Sequence, residues 1–485
     1  MRVSTETRFA LRVVLGPFHR RAVPSRRAPR GQALIILLLM TSIAAMLLVY
    51  GSTSEVARAV KAEQKTRTTL EYARQALIGR AIGDGNRPGS FPCPDGDNDG
   101  SADLFIGSAC PNYIGRLPWR TLGTGDLRDE SGERLWYALA PAFRDHPGAA
   151  PLNSDTVGAL VVYSGSDATT ISREAVAIVF AAGPPLGGQA RGESTALCET
   201  TGKHIPRSRC STNYLDAASG YANSTAGGPY IVSTPGPLYN DRLAVIVPAD
   251  FMPQVEQRIA IELRNALLAY RRASTCRCYP WATTDNDGES DFGNSRGRIP
   301  VRDALPESWP AGVLPTYFAA NDWARLVYYS AARSALENGG KDCTTCVLPD
   351  LSIDGTPGYE MVLLTPGAAT RARPRSTWAD YLEDSENRTA DDRYVTPASG
   401  AATRNRIYSV TTAVAGCAAN AQVLLANVPC GGSGAVRSAC EAASKALDSC
   451  SCAAAAATLT SSACAATLTA TRCEPAFTQL QTCAP

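Results

Sequence analysis

Histidine is nearly missing from this chain: 485 residues contain three, His19, His146 and His204. That leaves little material for zinc catalysis or a Ser-His-Asp arrangement, and Tyr163-Ser164-Gly165 lacks the pattern of a nucleophile elbow. Net charge is scarce as well. The 47 basic and 45 acidic residues nearly cancel, so no global field draws nucleic acid toward the protein. The glycine-rich stretch Gly183 to Gly188 has no Lys-Ser or Lys-Thr after it, which excludes a phosphate cradle. Nothing supplies a base, a nucleophile and an orienting group at workable spacing, and the chain reads as a non-enzyme.

Charge is also absent, locally, from Gln32 to Tyr50, a run that is almost wholly aliphatic. A helix of that length can span a hydrocarbon core of about 30 Å. Arg2, Arg8, Arg12, Arg20, Arg21, Arg26, Arg27 and Arg30 precede it. By the positive-inside rule they hold the N-terminus in the cytoplasm and send the rest of the chain across. A cleaved secretory signal and a plain single-pass anchor are the alternatives; against the signal, the run exceeds a usual apolar signal core and no A-x-A site follows it cleanly. Sixteen cysteines, eight on each side of residue 400, agree with folding in an oxidising space.

From Thr53 to Ala81 there is no proline, and Val56, Val60, Leu70, Ala73, Leu77 and Ile78 fall on one helical stripe. Gly83-Asp84-Gly85 and Pro88 stop the helix. The basic leader, Arg30-Gly31-Gln32-Ala33-Leu34-Ile35 and this long helix together resemble a type IV prepilin. The resemblance implies cleavage by a prepilin peptidase between Gly31 and Gln32. Pilins usually carry phenylalanine first and glutamate fifth after the cut, where this chain has Gln32 and Ile36. An apolar fifth residue is typical of minor subunits placed at the tip. The words Gly31-Gln32-Ala33-Leu34-Ile35 also resemble the anchors of tight-adherence pseudopilins.

The sequence repeats itself. Arg74-Gln75-Ala76-Leu77-Ile78, Asp95 to Gly100, Gly115-Arg116-Leu117-Pro118-Trp119-Arg120, Glu133 to Tyr137, Ala175 to Phe180, Asn213 to Asp216 and Asn240 to Leu243 occur in that order. They recur as Arg264 to Leu268, Asp285 to Gly288, Gly297-Arg298-Ile299-Pro300-Val301-Arg302, Ala324 to Tyr328, Glu360 to Leu364, Asp380 to Glu383 and Asn405 to Tyr408. Each copy reads as a helix followed by loops and short strands, an α+β pattern with an antiparallel sheet laid on the helix. In the second copy a helix of about residues 255–273 carries Val255, Ile259, Leu263, Leu267 and Tyr270 on one face. Similar elements occur in the heads of type II secretion pseudopilins. The expected organisation is a prepilin-type leader (1–31), a transmembrane and extended N-terminal helix (32–83), a first pilin-like head (84–250), a second (251–412) and an Ala/Cys-rich tail (413–485).

Asp95, Asp97 and Asp99, with Gly100 for the turn and Asp103 nearby, reproduce the first half of a calcium loop. Ile106 stands where an EF-hand has its bidentate glutamate, so the loop is not an EF-hand. The other reading is an Asx-rich turn solvated by water. Several secretion pseudopilin heads hold calcium, and the resemblance adds weight to that ion here. Asp285, Asp287 and Asp291 form a less complete set in the second copy. Cys93 and Cys110 bracket the first acidic loop, and a bridge there would remove about 3 kcal/mol of unfolded-state entropy. Cys198 most simply pairs with Cys210. Cys276, Cys278, Cys343 and Cys346 read as disulfides within the second copy, although Cys343-Thr344-Thr345-Cys346 has the spacing of a redox or zinc half-site. The repeated arginines Arg116, Arg120, Arg134, Arg298, Arg302 and Arg325 suggest buried pairing with Asp129, Glu133 or Asp303.

In the tail, cysteines at 430, 440, 450, 452, 464, 473 and 483 fall mostly nine or ten residues apart among alanines. A disulfide-stapled helical bundle and a low-complexity extension both fit. The whole reads as a structural or minor subunit of a type IV pilus or type II secretion pseudopilus in the bacterial inner membrane, its bulk periplasmic. Its partners would be other pilin or pseudopilin subunits, reached through the N-terminal helix, and the prepilin peptidase. The alternative is a tethered calcium-dependent binding protein or adhesin outside any filament.

Overall fold

The computed structural model describes residues 32–165, 167, 169–191, 209–284, 288–336, 351–371, 375, 378–389, 391–397, 404–411, 421, 423–427, 430, 434–447, 453–461, 464, 473 and 475–477. Its contacts divide the chain into two units, Met1–Ala62 and Glu63–Pro485.

The first helix, α1, runs unbroken over Gln32–Gly83 and ends at the glycine expected to stop it. In the first unit its apolar side chains are exposed, from Leu34 (62%) to Met46 (74%). The Thr41 and Ser42 hydroxyls donate back to the Leu38 and Leu39 carbonyls at 3.0 and 2.9 Å, so their polarity is absorbed within the helix. The expected transmembrane helix is not supported. Among the described residues no helix is long and apolar enough to cross a membrane. Val56 and Val60, placed on the core stripe by periodicity, are 64% and 61% exposed.

The second unit is a mixture of helices and several sheets. In chain order its first head has β1 (Ile114–Arg116), β2 (Trp136–Leu139), β3 (Leu160–Ser164), β4 (Thr169–Ala175), β5 (Ala177–Ala181), β6 (Tyr230–Val232) and β7 (Arg242–Ile246). Strands β1-β2-β5-β7 form an antiparallel sheet, while β4-β3-β6 form a smaller one in which β3 and β6 are parallel. Leu70, Ala73, Leu77, Ile78 and Ala81 of α1 are buried in the same core as Tyr137, Val179 and Phe180. Their i, i+3, i+4 spacing is the helical stripe read from the sequence.

The second head begins at α2 (Met252–Ala273) and continues with β8 (Arg296–Arg298), β9 (Tyr328–Ala331), β10 (Leu351–Ile353), β11 (Thr356–Thr365), β12 (Arg393–Tyr394) and β13 (Arg406–Thr411). Val255, Ile259, Leu263, Leu267 and Tyr270 are all buried, as their spacing requires. Burial of each such aliphatic side chain stabilises by roughly 1.5–3 kcal/mol. Strands β8-β9-β11-β13 repeat the order β1-β2-β5-β7. Registers coincide too: Gly115 lies opposite Tyr137 and Gly297 opposite Tyr329. The hydroxyls of these tyrosines donate to the carbonyls of Pro92 (3.2 Å) and Pro280 (2.9 Å). The duplication is therefore three-dimensional, with Tyr137 equivalent to Tyr329, one residue beyond the Tyr328 that sequence matching selects.

A second one-residue offset follows at β7 and β13. The Asp216 amide donates to Asp241 Oδ2 at 2.8 Å and the Glu383 amide to Asn405 Oδ1 at 2.6 Å, so Asp241 corresponds to Asn405. Both heads contribute to one continuous hydrophobic core. The tail has its own small one, built from Ala421, Leu424, Leu447, Leu459 and neighbours with Cys430–Cys440 and Cys464–Cys473 disulfides. Helices α3 (Gly434–Ala446) and α4 (Ala453–Thr460) pack on each other there.

Gly115 and Gly297 occupy positions where a side chain has no room. A Cβ at Gly115 would stand 2.7 Å from the Asp95 carbonyl oxygen, and one at Gly297 would strike the Thr283 carbonyl oxygen. Gly115→Ala and Gly297→Ala are each expected to cost about 1–3 kcal/mol in chemical denaturation; an unchanged midpoint would show that these backbone pairs separate freely.

Candidate functional site

Of the processing pair, Gly31 lies outside the described residues and Gln32 opens α1. The acidic loop is fully described. Asp95 is buried and its two carboxylate oxygens accept the amides of Asn98 (2.5 Å) and Gly100 (2.7 Å). Asp97 accepts from the Asp99 amide at 3.2 Å, and Asp99 from the Ser101 amide at 2.6 Å. One oxygen from each of the three carboxylates lies within 4.8 Å of the others. Asp103 accepts from the Gly96 amide at 3.0 Å. Burial raises the pKa of Asp95 and Asp103, the loop amides oppose it, and the charges of Asp97 and Asp99 push both further up. Such crowding of like charges is what a hard divalent cation relieves, and Asp95, Asp97 and Asp99 are the residues that could hold one. The Cys93–Cys110 disulfide closes the loop as the spacing implied, with Cα atoms 5.6 Å apart.

Asp285 and Asp287 lie outside the described residues, as do Cys198, Cys343 and Cys346. Asp291 accepts the amide and hydroxyl of Thr284, both at 2.6 Å. Cys276 pairs with Cys278, and Cys210 is disulfide-bonded. His146 accepts the Gly148 amide at Nδ1 (2.9 Å) with its ring edge on Phe105, a loop-forming role.

Among the repeated arginines, Arg134 pairs with Asp126 at 2.9 Å, while Arg116 feels the charge of Glu133. Arg116 is buried with its guanidinium carbon 4.1 Å from the ring centres of both Trp136 and Tyr214, and its Nη1 donates to the Arg134 carbonyl at 2.7 Å. Burial pushes it down to about 10, against the pull of Tyr214 and Glu133. Asp129 instead accepts Ser131 Oγ and the amides of Glu133 and Gly183. Arg191 stacks on Tyr214 and donates to the Gly183 carbonyl at 2.5 Å. Arg375 does the same on Tyr381 and the Gly367 carbonyl at 2.6 Å. This second pair of equivalent arginines lies outside the matched sequence words, and no local motif marks it.

The heads are joined by a loop of the first head seated on the second. Asp155 accepts from Arg325 Nη2 (2.6 Å), Arg375 Nη1 (3.1 Å) and the Tyr381 hydroxyl (2.6 Å). A cavity of about 320 Å³ opens beside it, lined by Asp155, Arg325, Arg371, Arg375 and Tyr381. Asn321 links Arg87, Leu152 and Asn153: its Oδ1 accepts from Arg87 Nη1 and the Leu152 amide, and its carbonyl from Asn153 Nδ2. Glu256, wholly buried in α2, accepts from Ser154 Oγ and from the Gly367 amide at 3.1 Å. The Asp155-centred cluster mixes three arginines, a tyrosine and one carboxylate, an arrangement suited to holding two bodies together.

Glu256 gives the clasp a pH signature. Burial pushes its carboxyl up to about 7 from an ordinary 4.5, while Ser154 and the charge of Arg375 pull the other way. The folded chain therefore binds this proton more tightly than the unfolded chain. That contribution to stability is complete below about pH 4.5 and is lost as pH rises toward 7. Glu256→Gln keeps the acceptor without the titration. It is expected to flatten the fall of the melting midpoint between those values, and an unaltered slope would show that Glu256 is already ionised.

Comparison with known proteins adds no relative: no family model, no curated protein and no solved structure matches the chain.

Proposed function

We propose that the chain is a non-enzymatic, pilin-type structural subunit of a type IV pilus or type II secretion pseudopilus, assembled through the N-terminal part of α1 and presenting its two heads outside the cytoplasm. One observation carries this reading. Leu34, Ile35, Ile36, Leu37, Leu38, Leu39, Met40, Ile43 and Met46 are 53–74% exposed on one helix, an apolar surface that a monomer in water does not sustain. The occupant that suits it is the same stretch of sister subunits, packed helix on helix, because α1 carries no acidic residue before Glu55 to oppose close approach. The Cys93–Cys110, Cys430–Cys440 and Cys464–Cys473 disulfides support folding in an oxidising space.

Mature protein from a host with a prepilin peptidase is expected to begin at Gln32, as N-terminal sequencing would show. A single cysteine at Leu37 should cross-link neighbouring subunits, while one at the exposed Arg67 should not. An intact Met1, a cut near Gly51, or equal cross-linking at both positions would oppose pilin handling.

The convergence of Asp95, Asp97 and Asp99 favours a second reading, a calcium-dependent binding protein or adhesin outside any filament. Calcium is expected to raise the melting midpoint over that in EDTA, and Asp97→Asn with Asp99→Asn to abolish the rise. An unchanged midpoint leaves the loop as an Asx turn.

A further inference from the structure

At one point of their shared framework the first head has an acid, Asp241, and the second an amide, Asn405, each 1% exposed. The surroundings of the two match closely. Ala181 lies opposite Arg242 and Thr365 opposite Arg406. The Asn240 amide donates to the Asp216 carboxylate at 2.7 Å, as the Arg404 amide does to Glu383 Oε2. Arg191 stacks on Tyr214 as Arg375 does on Tyr381.

In the second head both ends of the Asn405 amide are used. Its Oδ1 accepts the Glu383 amide at 2.6 Å, and its Nδ2 donates to the carbonyls of Thr365 (3.1 Å) and Tyr381 (2.7 Å). Thr365 stands two residues before Gly367 and Tyr381 two before Glu383; Ala181 and Tyr214 hold the same places before Gly183 and Asp216. The carbonyls of Ala181 and Tyr214 are therefore the counterparts that a donor at residue 241 would reach.

An ionised carboxylate has no hydrogen to offer them. Asp241 Oδ2 accepts from the Asp216 amide at 2.8 Å and from Asn223 Nδ2 at 2.9 Å. Its Oδ1 is buried and, among the described residues, has no partner, a costly state for a charged oxygen. Asp216 is the acid beside it. Arg191 is the cation that opposes, and it also faces Glu133 at 3.6 Å. The Tyr239 hydroxyl nearby is given to the Ile231 carbonyl at 2.7 Å. Burial first and then the charge of Asp216 push the Asp241 carboxyl up to about 8 from an ordinary 3.8, against the pull of Asn223, the Asp216 amide and Arg191.

We infer that Asp241 is held as the neutral acid, with a proton on Oδ1 shared by the carbonyl pair of Ala181 and Tyr214, where Asn405 Nδ2 serves in the second head. The first head thus has a removable fastener at a place where the second has a permanent one. Loss of the proton sets a carboxylate against two carbonyls and against the Asp216 charge, which loosens the meeting of β5 and β7 with residues 213–216. The folded chain binds this proton more tightly than the unfolded chain, so its contribution is complete below about pH 3.8 and is lost as pH rises through about 8.

The test uses the full-length protein carrying Glu256→Gln, which removes the carboxyl raised to about 7. Its melting midpoint is expected to fall as pH rises through about 8, and adding Asp241→Asn to abolish that part of the fall. Asn405→Asp should deepen the fall, because the second head then acquires the same titration. If Asp241→Asn does not fold, infrared spectra of the Glu256→Gln chain serve instead: a protonated-carboxyl band is expected at about pH 7 and is gone well above about pH 8. An equal alkaline fall with and without Asp241→Asn, absence of the band, or an alkaline midpoint that sodium or calcium raises only while Asp241 is present, which would put a cation in the proton's place, would each overturn the assignment.

Discussion

A helix with one apolar stripe cannot be left half wet, and the architecture of the second unit follows from covering that stripe twice. The C-terminal part of α1 lies in one core with β1-β2-β5-β7, and α2 with β8-β9-β11-β13. Each of these four-strand runs is antiparallel and each is pinned by a glycine opposite a buried tyrosine. Loss of a Cβ at Gly115 and Gly297 lets the Asp95 and Thr283 backbones pair with Arg116 and Arg298, which brings each loop onto the end of its sheet. The loops that carry chemistry are therefore held by the same contact that sets the register.

Several charged and polar groups buried by this arrangement are held by specific contacts. Arg116 exchanges water for two aromatic faces and a carbonyl, with the charge of Glu133 also favouring the cation. Between the heads the solution is different: Asp155 of the first head takes its donors from the second, Asn321 of the second takes its donors from the first, and Glu256 takes one from each. Removing one partner of such a cluster leaves the rest buried and unsatisfied, so these contacts specify how the copies meet more than they add to stability.

Much of this was legible beforehand. The end of α1 at Gly83, the buried face of α2, the acidic turn and the Cys93–Cys110 bridge all follow from local spacing. The duplication was visible as well, because its glycines, prolines and arginines recur in order. What failed has physical reasons. Val56 and Val60 continue the stripe by period alone, yet periodicity does not say where the covering sheet stops. The greasy run after Gln32 was read as a membrane span from composition, and among the described residues no helix is both long and apolar enough for one. Strand registers slipped by one residue because Leu135-Trp136-Tyr137 and Leu326-Val327-Tyr328 match in letters while backbone pairing equates Tyr137 with Tyr329. Asp155, Arg375 and Asn321 escaped notice because their partners in the other head lie 168 to 234 residues away in the chain.

The clasp changes what the duplication means for the life of the gene. A tandem copy ordinarily keeps its independence and can be trimmed, swapped or lost. Here Phe251, at the entrance to α2, packs edge-on against Phe91 and Phe143 of the first head. A chain ending at residue 250 would open that aromatic cluster to water and take the Asn321 acceptor from the Arg87 guanidinium, leaving it the Ala142 and Ala150 carbonyls. The two halves have become mutually obligate, and selection now acts on them as one inheritance.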